Sequence, residues 1–309
     1  MLRTALRLAG IVLLVLGLLL GCQSLRHGGT TALPDPAPQS LRVATYNVHY
    51  IVLGRETGAW SVADWERRKG PLDLAFKDVS PDVMGFQEME SFGGGSVSDE
   101  NLALDWLLAR NPGYAAAAVG DPRDFPSTQP ILYRTDRLDL VDQGWFFFSD
   151  TPDVIYSRTF NGSYPAFASW ARFSDRRTGA AFRVVNVHTD YASLSNREQS
   201  VDLVVARSAP WIAAGETVFL VGDLNARLGD RLVGTLEEAG FSFAPVDGAS
   251  FHFNRGINLF AAIDHIAVAG DARLAAPPVI VRKQYDGEWP ADHYPVVADY
   301  ELVRVPQGN

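Results

Sequence analysis

Residues 218–227 read VFLVGDLNAR, an apolar run that stops at Gly222 and is followed by Asp223 and Asn225, two positions apart. Alternate side chains of an extended chain lie on the same side, so this spacing groups the carboxylate with the amide. An apolar run bounded by Gly, Asp and Asn is typical of a buried strand that ends at the rim of a sheet. A strand followed by an ordinary Asp/Asn turn fits this stretch equally well, so its meaning depends on the other segments.

Further apolar runs of strand length surround this segment, which itself predicts a strand over 218–221. They predict strands at 42–48, 82–87, 131–134, 144–148, 167–173, 182–188, 263–269 and 296–303. Helical patterns are fewer and lie at 61–78, 99–110, 195–214 and 230–239, with Gly70-Pro71 expected to break or kink the first of them. Strand runs with occasional helices favour mixed sheets over a doubly wound parallel sheet, in one domain from 41 to 305.

The charge balance is acidic. Lysine and arginine number 27 against 36 acidic residues, which gives a formal net charge of −9. A protein that grips nucleic acid through its backbone charge usually carries the opposite balance. The composition therefore disfavours a DNA substrate without excluding one.

The N-terminus has the layout of a secretory signal peptide over residues 1–21. Arg3 and Arg7 precede an apolar segment, 8–20, which is shorter than the roughly 20 residues of a membrane span. The sequence LLGC ending at Cys22 resembles the lipobox of bacterial lipoproteins, which implies lipidation of Cys22. A plain membrane anchor or a cysteine without a special role is the alternative. Cys22 is the only cysteine in the sequence, so no disulfide framework exists.

Residues 22–40 are rich in Gly, Pro, Thr and Ser, a composition that predicts a flexible tether. With the lipobox, it predicts an exported protein held on the bacterial cell envelope by a lipid anchor. The membrane is then one partner, and no obligate protein partner is evident from the sequence.

Ionisable and amide side chains end several of the predicted strands. They are Asn47 and His49, Glu88, His188, Asp223 with Asn225, Asp264, and Asp292 with His293. Each residue alone has an ordinary explanation as a turn former, a cap or an exposed charge. Their repeated occurrence at strand ends is harder to explain in that way.

This ordered set resembles the motifs of the endonuclease/exonuclease/phosphatase superfamily, the Mg²⁺-dependent phosphoesterases that include DNase I-like nucleases, sphingomyelinases and inositol polyphosphate phosphatases. The matching segments are TYNV at Thr45, FQE ending at Glu88, NVHTD at Asn186, GDLN at Gly222, ID at Ile263 and DHYPV at Asp292. The resemblance covers essentially all of the mature domain. It implies a four-layered α/β sandwich, two mixed β-sheets packed face to face with helices outside.

The resemblance also implies a division of roles. Glu88 is the expected Mg²⁺ ligand, with Asn47 and Asp292 around it and Mn²⁺ as an alternative ion. A water must lose a proton near neutral pH, which calls for a histidine or a carboxylate within hydrogen-bond reach.

Two candidates for this base remain open: His293 oriented by Asp264, or Asp223. His188 and Asn225 are expected to hold the phosphate oxygens. The chain departs from many relatives at Ala291, where serine is common, and at His49, where some nucleases carry an acidic metal contact. These departures favour a metal site at Glu88 over a second metal site.

The sequence therefore predicts an envelope-anchored hydrolase that cleaves a phosphodiester or phosphomonoester by direct attack of water. The substrate, whether of lipid, inositol phosphate or nucleotide type, is left open. Two alternatives remain: an extracellular nuclease acting on DNA or RNA, and a binding lipoprotein of the same fold without turnover.

Overall fold

Two mixed β-sheets lie face to face in the computed structural model, which describes residues 2–29, 32–93 and 100–302. The helices are α1 (Leu2–His27), α2 (Val62–Val79), α3 (Leu102–Arg110), α4 (Leu194–Ala213) and α5 (Arg231–Glu238). The strands are β1 (Leu41–Asn47), β2 (Ile51–Val52), β3 (Val83–Gln87), β4 (Ser91–Phe92), β5 (Tyr114–Ala117), β6 (Ile131–Arg134), β7 (Leu138–Phe147), β8 (Phe167–Asp175), β9 (Ala181–His188), β10 (Thr217–Asp223), β11 (Ser242–Phe243), β12 (Asp264–Ala269), β13 (Ala272–Leu274), β14 (Val279–Ile280) and β15 (Val296–Leu302).

Each sheet has one parallel pair near its centre. The first has the order β13-β15-β1-β3-β6-β5, with β14 also on β15, and the second has the order β11-β12-β10-β9-β8-β7. β1 runs parallel to β3, and β9 runs parallel to β10, while the other pairs in these two sheets are antiparallel. Since parallel strands end at the same edge, both central pairs bring their last residues to one rim.

Three buried apolar clusters separate four layers. One lies between the sheets and includes Val43 of β1 and Phe219 of β10. A second packs α2 and α3 on the outer face of the first sheet, and a third packs α4 and α5 on the second sheet. The predicted fold class, a four-layered α/β sandwich with two mixed sheets, is confirmed.

Two glycines allow the close approach of strands beneath the rim. A Cβ on Gly222, whose φ is 142°, would meet the carbonyl oxygen of Val187 at 1.9 Å. A Cβ on Gly85 of β3 would lie 2.6 Å from Val221 and 3.0 Å from Asn186 in the other sheet. The absence of a side chain at Gly222 lets β10 lie close to β9 within the second sheet, and its absence at Gly85 lets the two sheets come together beneath the polar strand ends.

Strand positions were predicted well, and helix details less so. Each predicted strand coincides with an observed one within a few residues, except that 144–148 is only the last part of β7. The short strands β2, β4, β5, β11, β13 and β14 were not predicted. Asp99 and Val303, at ends of a predicted helix and a predicted strand, lie outside the described residues, as do residues 303–305 of the predicted domain. A break at Gly70-Pro71 is wrong, because α2 runs through both residues and packing of buried Pro71 and Leu72 holds the helix there.

The N-terminal segment is more structured than its composition indicates. Helix α1 continues past Cys22 to His27, and Leu6–His27 is long and apolar enough to cross a membrane, although a signal sequence would meet the same criterion. Within the segment predicted as a tether, the Pro34 carbonyl accepts a hydrogen bond from Arg42, and the Ala37 amide donates one to Asp299. These contacts hold that part of the segment on the domain.

Candidate active site

Strand register places the polar residues side by side at one rim. In the second sheet Asp223, the last residue of β10, is the register partner of His188 on β9 and of Asp264 on β12. In the first sheet Asn47 ends β1, and Glu88 follows β3 directly. The strand-end pattern in the sequence therefore corresponds to a real convergence in space.

Contacts between these side chains join the two sheets. The Asn47 amide donates from Nδ2 to Glu88 Oε1 at 3.1 Å and to Asp223 Oδ2 at 3.3 Å. His188 Nε2 lies 3.7 Å from Asp223 Oδ2 and 3.9 Å from Glu88 Oε1. Asn47 and Asp223 are buried, whereas the side chains of His188 and Glu88 remain 27% and 25% exposed, which leaves them open to a ligand from solvent.

A second set of contacts surrounds His293. Its Nδ1 lies 2.8 Å from Asp264 Oδ2, and its Nε2 faces Asp223 Oδ2 at 3.8 Å. The Ser250 hydroxyl accepts a hydrogen bond from the Asp264 amide at 3.1 Å and from the Ile263 amide at 3.0 Å, which fixes the start of β12. His293 is thus held between two carboxylates, with one ring nitrogen on each.

The same packing perturbs the protonation of the pair. Burial raises the pKa of Asp223 to about 6, the Asp264 charge adds to this, and His293 and His188 oppose it. Burial alone would lower the pKa of His293, but Asp264, Asp223 and Asp292 outweigh burial and raise it to about 10. At neutral pH the metal-free site therefore contains an imidazolium at His293 beside a carboxylate that titrates near neutrality.

Asn225 and Asp292 lie at the margins of this cluster. Asn225 donates from its backbone to Asp223 Oδ1 at 2.8 Å and from Nδ2 to the Thr189 carbonyl at 2.9 Å. Asp292 contacts the Nδ1 of His49 at 3.2 Å, and this hydrogen bond offsets burial and lowers the Asp292 pKa well below its usual range. His49 therefore approaches Asp292 as a hydrogen-bond partner, at the position where some relatives carry an acidic metal contact.

Three residues of the rim have a left-handed backbone conformation. Glu88, His49 and Asn225 have φ values of 55°, 64° and 45°, in the left-handed region that side chains other than glycine seldom adopt. Such conformations cost roughly 1–3 kcal/mol each and persist where surrounding contacts enforce them, often at functional sites.

The donor set fits a hard divalent cation. Four carboxylates meet at this rim, those of Glu88, Asp223, Asp264 and Asp292, together with the imidazoles of His49, His188 and His293, of which His293 is held protonated. Within the described residues, the group whose ligand atoms all lie within 4.8 Å of one another is Asp223, Asp264 and His293, all buried. Because Asp264 and His293 are already bonded to each other, the solvent-open oxygen of Glu88 beside Asn47 suits an ion that keeps several waters better.

Sequence reasoning missed Arg68, which organises the rim from beneath. This buried guanidinium donates to the carbonyls of Val48 at 2.7 Å, His49 at 2.6 Å and Pro290 at 3.3 Å. It therefore ties the chain after β1 to the chain before Asp292. The available signal was its place in α2, where an arginine shares the buried helix face with Trp65 and Leu72.

A family model for the endonuclease/exonuclease/phosphatase family matches residues 44–293, which includes every strand-end residue described above. The chain belongs to this family. Members of the endonuclease/exonuclease/phosphatase family are hydrolases that act on phosphoester bonds, and the predicted family resemblance is confirmed. No curated protein matches the chain in sequence.

Solved structures of other family members share the fold. A mannosyl-6-phosphatase from Bacteroides thetaiotaomicron is 24% identical, with a TM-score of 0.71 over 86% of this chain and 100% of that one. A family protein from Bacteroides vulgatus is 25% identical, with a TM-score of 0.70 over 85% of this chain and 99% of that one. D. rerio TDP2, in complex with a single-strand DNA product, is 14% identical, with a TM-score of 0.59 over 85% of this chain and 99% of that one.

Proposed function

We propose that this protein is a divalent-metal-dependent phosphoesterase, anchored to the bacterial cell envelope, that hydrolyses its substrate by direct attack of water. One observation carries the proposal: Asn47 bridges Glu88 of one sheet to Asp223 of the other, with His188 near both carboxylates. This arrangement combines a solvent-open oxygen ligand with groups that can bind phosphate and move a proton.

Glu88 is the proposed principal metal ligand, and Asn47 and Asp292 complete its surroundings. A bound Mg²⁺ or Mn²⁺ would supply charge neutralisation to the phosphate oxygens and the leaving group. The Asn47 hydrogen bond fixes the Glu88 carboxylate at the rim, and the His49 contact fixes Asp292 on its side. Both carboxylates are therefore oriented by neighbouring groups of this chain.

Proton transfer is assigned to the Asp223–His293 pair. Asp223 Oδ2 faces the ring nitrogens of His188 and His293, so a water bound between them lies within reach of a carboxylate acceptor. The raised pKa values favour Asp223 as the proton acceptor and His293 as a cation beside the phosphate. Asp264 keeps the His293 ring in place through Nδ1.

We assign the binding of the phosphate oxygens to His188, Asn225 and the imidazolium of His293. The His188 ring is partly exposed, and Asn225 lies two residues after Asp223 with its backbone fixed by that carboxylate. Donors that are already positioned stabilise developing negative charge without reorganising. This arrangement supports hydrolysis without a covalent enzyme intermediate.

Anchoring is assigned to the N-terminus. Residues 1–21 serve as the signal peptide, and Cys22, which is exposed on α1, receives the lipid. Export to the envelope, in the outer membrane or at the cell surface, follows from this arrangement.

The charge of the protein bears on the nuclease alternative. The D. rerio TDP2 structure contains a single-strand DNA product, so the fold accommodates DNA in that protein. A formal net charge of −9 opposes the phosphate contacts from which most DNA affinity comes. A silent binding protein is also disfavoured, because every predicted catalytic position retains its side chain at the rim.

The test is hydrolysis by the purified full-length chain in detergent with Mg²⁺ or Mn²⁺. Lipid, inositol phosphate, sugar phosphate, nucleic acid and chromogenic phosphoesters are assayed beside the Glu88→Ala and His293→Ala variants. The proposal expects metal-dependent release from at least one substrate and its loss in both variants. Inactivity on the whole panel, or full activity of either variant, would overturn the proposal.

A further inference from the structure

An exposed apolar surface borders the candidate active site on the side of His293. We call Phe253, Ile257 and Phe260 the rim patch; their exposed fractions are 39%, 39% and 45%. The Phe251 ring links this patch to the site, since its centroid lies 5.0 Å from that of His293 and 4.5 Å from that of Phe253. Exposed apolar side chains grouped beside a reactive site indicate a contact surface.

The loop that carries the rim patch is firmly held. Buried His252 donates its amide to the Asp292 carbonyl at 2.8 Å, and its own carbonyl accepts from the amides of Arg255 and Ile257. Its Nδ1 accepts from the Gly256 amide at 3.2 Å. Phe253 follows with a φ of 59°, a strained value for a bulky residue. The fold therefore holds the patch in solvent at an energetic cost.

Helix α1 ends beside this loop. The His27 carbonyl accepts a hydrogen bond from the Ala249 amide at 2.9 Å, two residues before Phe251. Arg227 lies near both the end of α1 and the rim patch. Its guanidinium is 5.2 Å from the centre of the Phe260 ring. Burial, the charge of Arg26 and the charge of Arg227 together lower the pKa of His27. The apolar stretch of α1 itself has no residue buried against the domain.

The spacing from anchor to patch is short. Cys22 precedes His27 by five helical residues, which span about 7.5 Å at the rise of an α-helix. A lipid on Cys22 and a membrane-spanning α1 lead to the same result, because both bring the bilayer surface to the end of α1. The loop that carries the rim patch is then brought close to the bilayer surface, because it adjoins the end of α1 at His27.

We propose that the rim patch docks on the lipid surface, so that the candidate active site opens toward the membrane. This inference rests on the proposed envelope anchoring. Local charge supports it, since residues 251–261 contain Arg255 and no acidic residue, and Arg227 flanks Phe260. Aromatic and apolar side chains enter the interface, and arginines contact lipid phosphates, as in interfacial membrane binding. A phosphoester at the bilayer surface would thus reach His293 without leaving the membrane.

The test places the full-length chain in lipid nanodiscs of phosphatidylcholine and phosphatidylglycerol. Ile257→Cys, Phe260→Cys and the control Leu274→Cys are labelled with an environment-sensitive fluorophore, with and without doxyl-labelled lipid. Leu274 is matched in exposure at 37% and pairs with Tyr300, toward the end of β15 away from His293. The parent chain, in which a lipidated Cys22 has no free thiol, gives the background from any Cys22 left unmodified, and this background is subtracted.

We expect blue-shifted emission and loss of signal to doxyl lipid at positions 257 and 260, and neither at 274. Equal, weak quenching at all three positions would overturn the inference, as would failure of the chain to enter nanodiscs. Hydrogen exchange of residues 251–261 in the wild type, with slower exchange expected in nanodiscs than in detergent-free solution, repeats the comparison without substitutions. Since neither readout needs turnover, an inactive enzyme that docks is distinguished from an active one that does not.

Discussion

The Nδ1 of His293 lies 2.8 Å from Oδ2 of Asp264, and both side chains are buried. These residues are 29 positions apart in sequence and meet because β12 begins where the chain enters β15. The Asp264 carboxylate holds the His293 imidazolium through Nδ1 and leaves Nε2 facing Asp223. Replacing this carboxylate tests whether His293 works as an oriented cation.

The Asp264→Asn variant should lose kcat/KM by about 10²- to 10⁴-fold, because a neutral amide replaces the carboxylate whose charge holds His293 as an oriented imidazolium. The loss should fall mainly on kcat, since the group lies behind the ring rather than on the substrate surface. Asp271→Asn is the matched control, on an exposed carboxylate just past the other end of β12. Equal kinetics of Asp264→Asn and the control would contradict the assignment.

Glu88 should control metal binding separately from catalysis. In Glu88→Gln the carboxylate charge is lost while the Asn47 contact geometry is largely kept, so Mn²⁺ affinity should fall at least about tenfold. Electron paramagnetic resonance of bound Mn²⁺ measures this without turnover. Glu237→Gln, an exposed residue of α5, is the control. Unchanged Mn²⁺ affinity in Glu88→Gln would move the metal site to other residues.

The end of β10 shows what the sequence contains about the rim. The VFLVGDLNAR stretch forms β10 with Asp223 at its end, and the sequence places His188 and Asp264 at the ends of other predicted strands. In the structure both residues are register partners of Asp223, because strand boundaries are encoded locally by apolar runs and the residues that end them.

Other features depend on contacts that a local pattern encodes only in part. Arg68 shares a helix face with Trp65 and Leu72, but only the packing of α2 shows which carbonyls its guanidinium contacts under the rim. The pairing of His49 with Asp292 joins positions 243 residues apart, which a single sequence cannot reveal. Such side-chain pairings are decided by tertiary packing, after the backbone elements are set.

Stability of the metal-free protein should depend on His293 in a defined pH window. The pKa of His293 in the folded protein, about 10, exceeds its usual value of 6.5. Protonation of His293 therefore stabilises the fold fully below pH 6.5, and this effect is lost as pH rises to about 10. The pKa of Asp223 is raised to about 6 in the folded protein. Protonation of Asp223 therefore stabilises the fold below about pH 4, and this contribution is lost as pH rises from about 4 to 6.

Urea unfolding of wild type and His293→Gln with a chelator present measures the His293 effect. We expect the difference in unfolding free energy between the two proteins to shrink between pH 6.5 and 10. A difference that stays constant, or grows, across this window would mean that His293 is neutral in the folded protein.

Gly222, the glycine of the VFLVGDLNAR stretch, should tolerate no larger side chain. Gly222→Ala must fit a Cβ against the Val187 carbonyl, at 1.9 Å in the present backbone, with φ at 142°. We expect a loss of about 2 kcal/mol or more in unfolding free energy, because either β9 or β10 must move. The shift would also displace Asp223 from His188, so kcat should fall in the molecules that remain folded.

In Gly234→Ala, the control within α5, the new Cβ meets no atom within 4 Å, and a gain of about 0.5–1 kcal/mol in unfolding free energy is expected from helix propensity. Urea midpoints of both variants provide the comparison, and equal midpoints would show that the approach of β9 to β10 is not what requires glycine at this position.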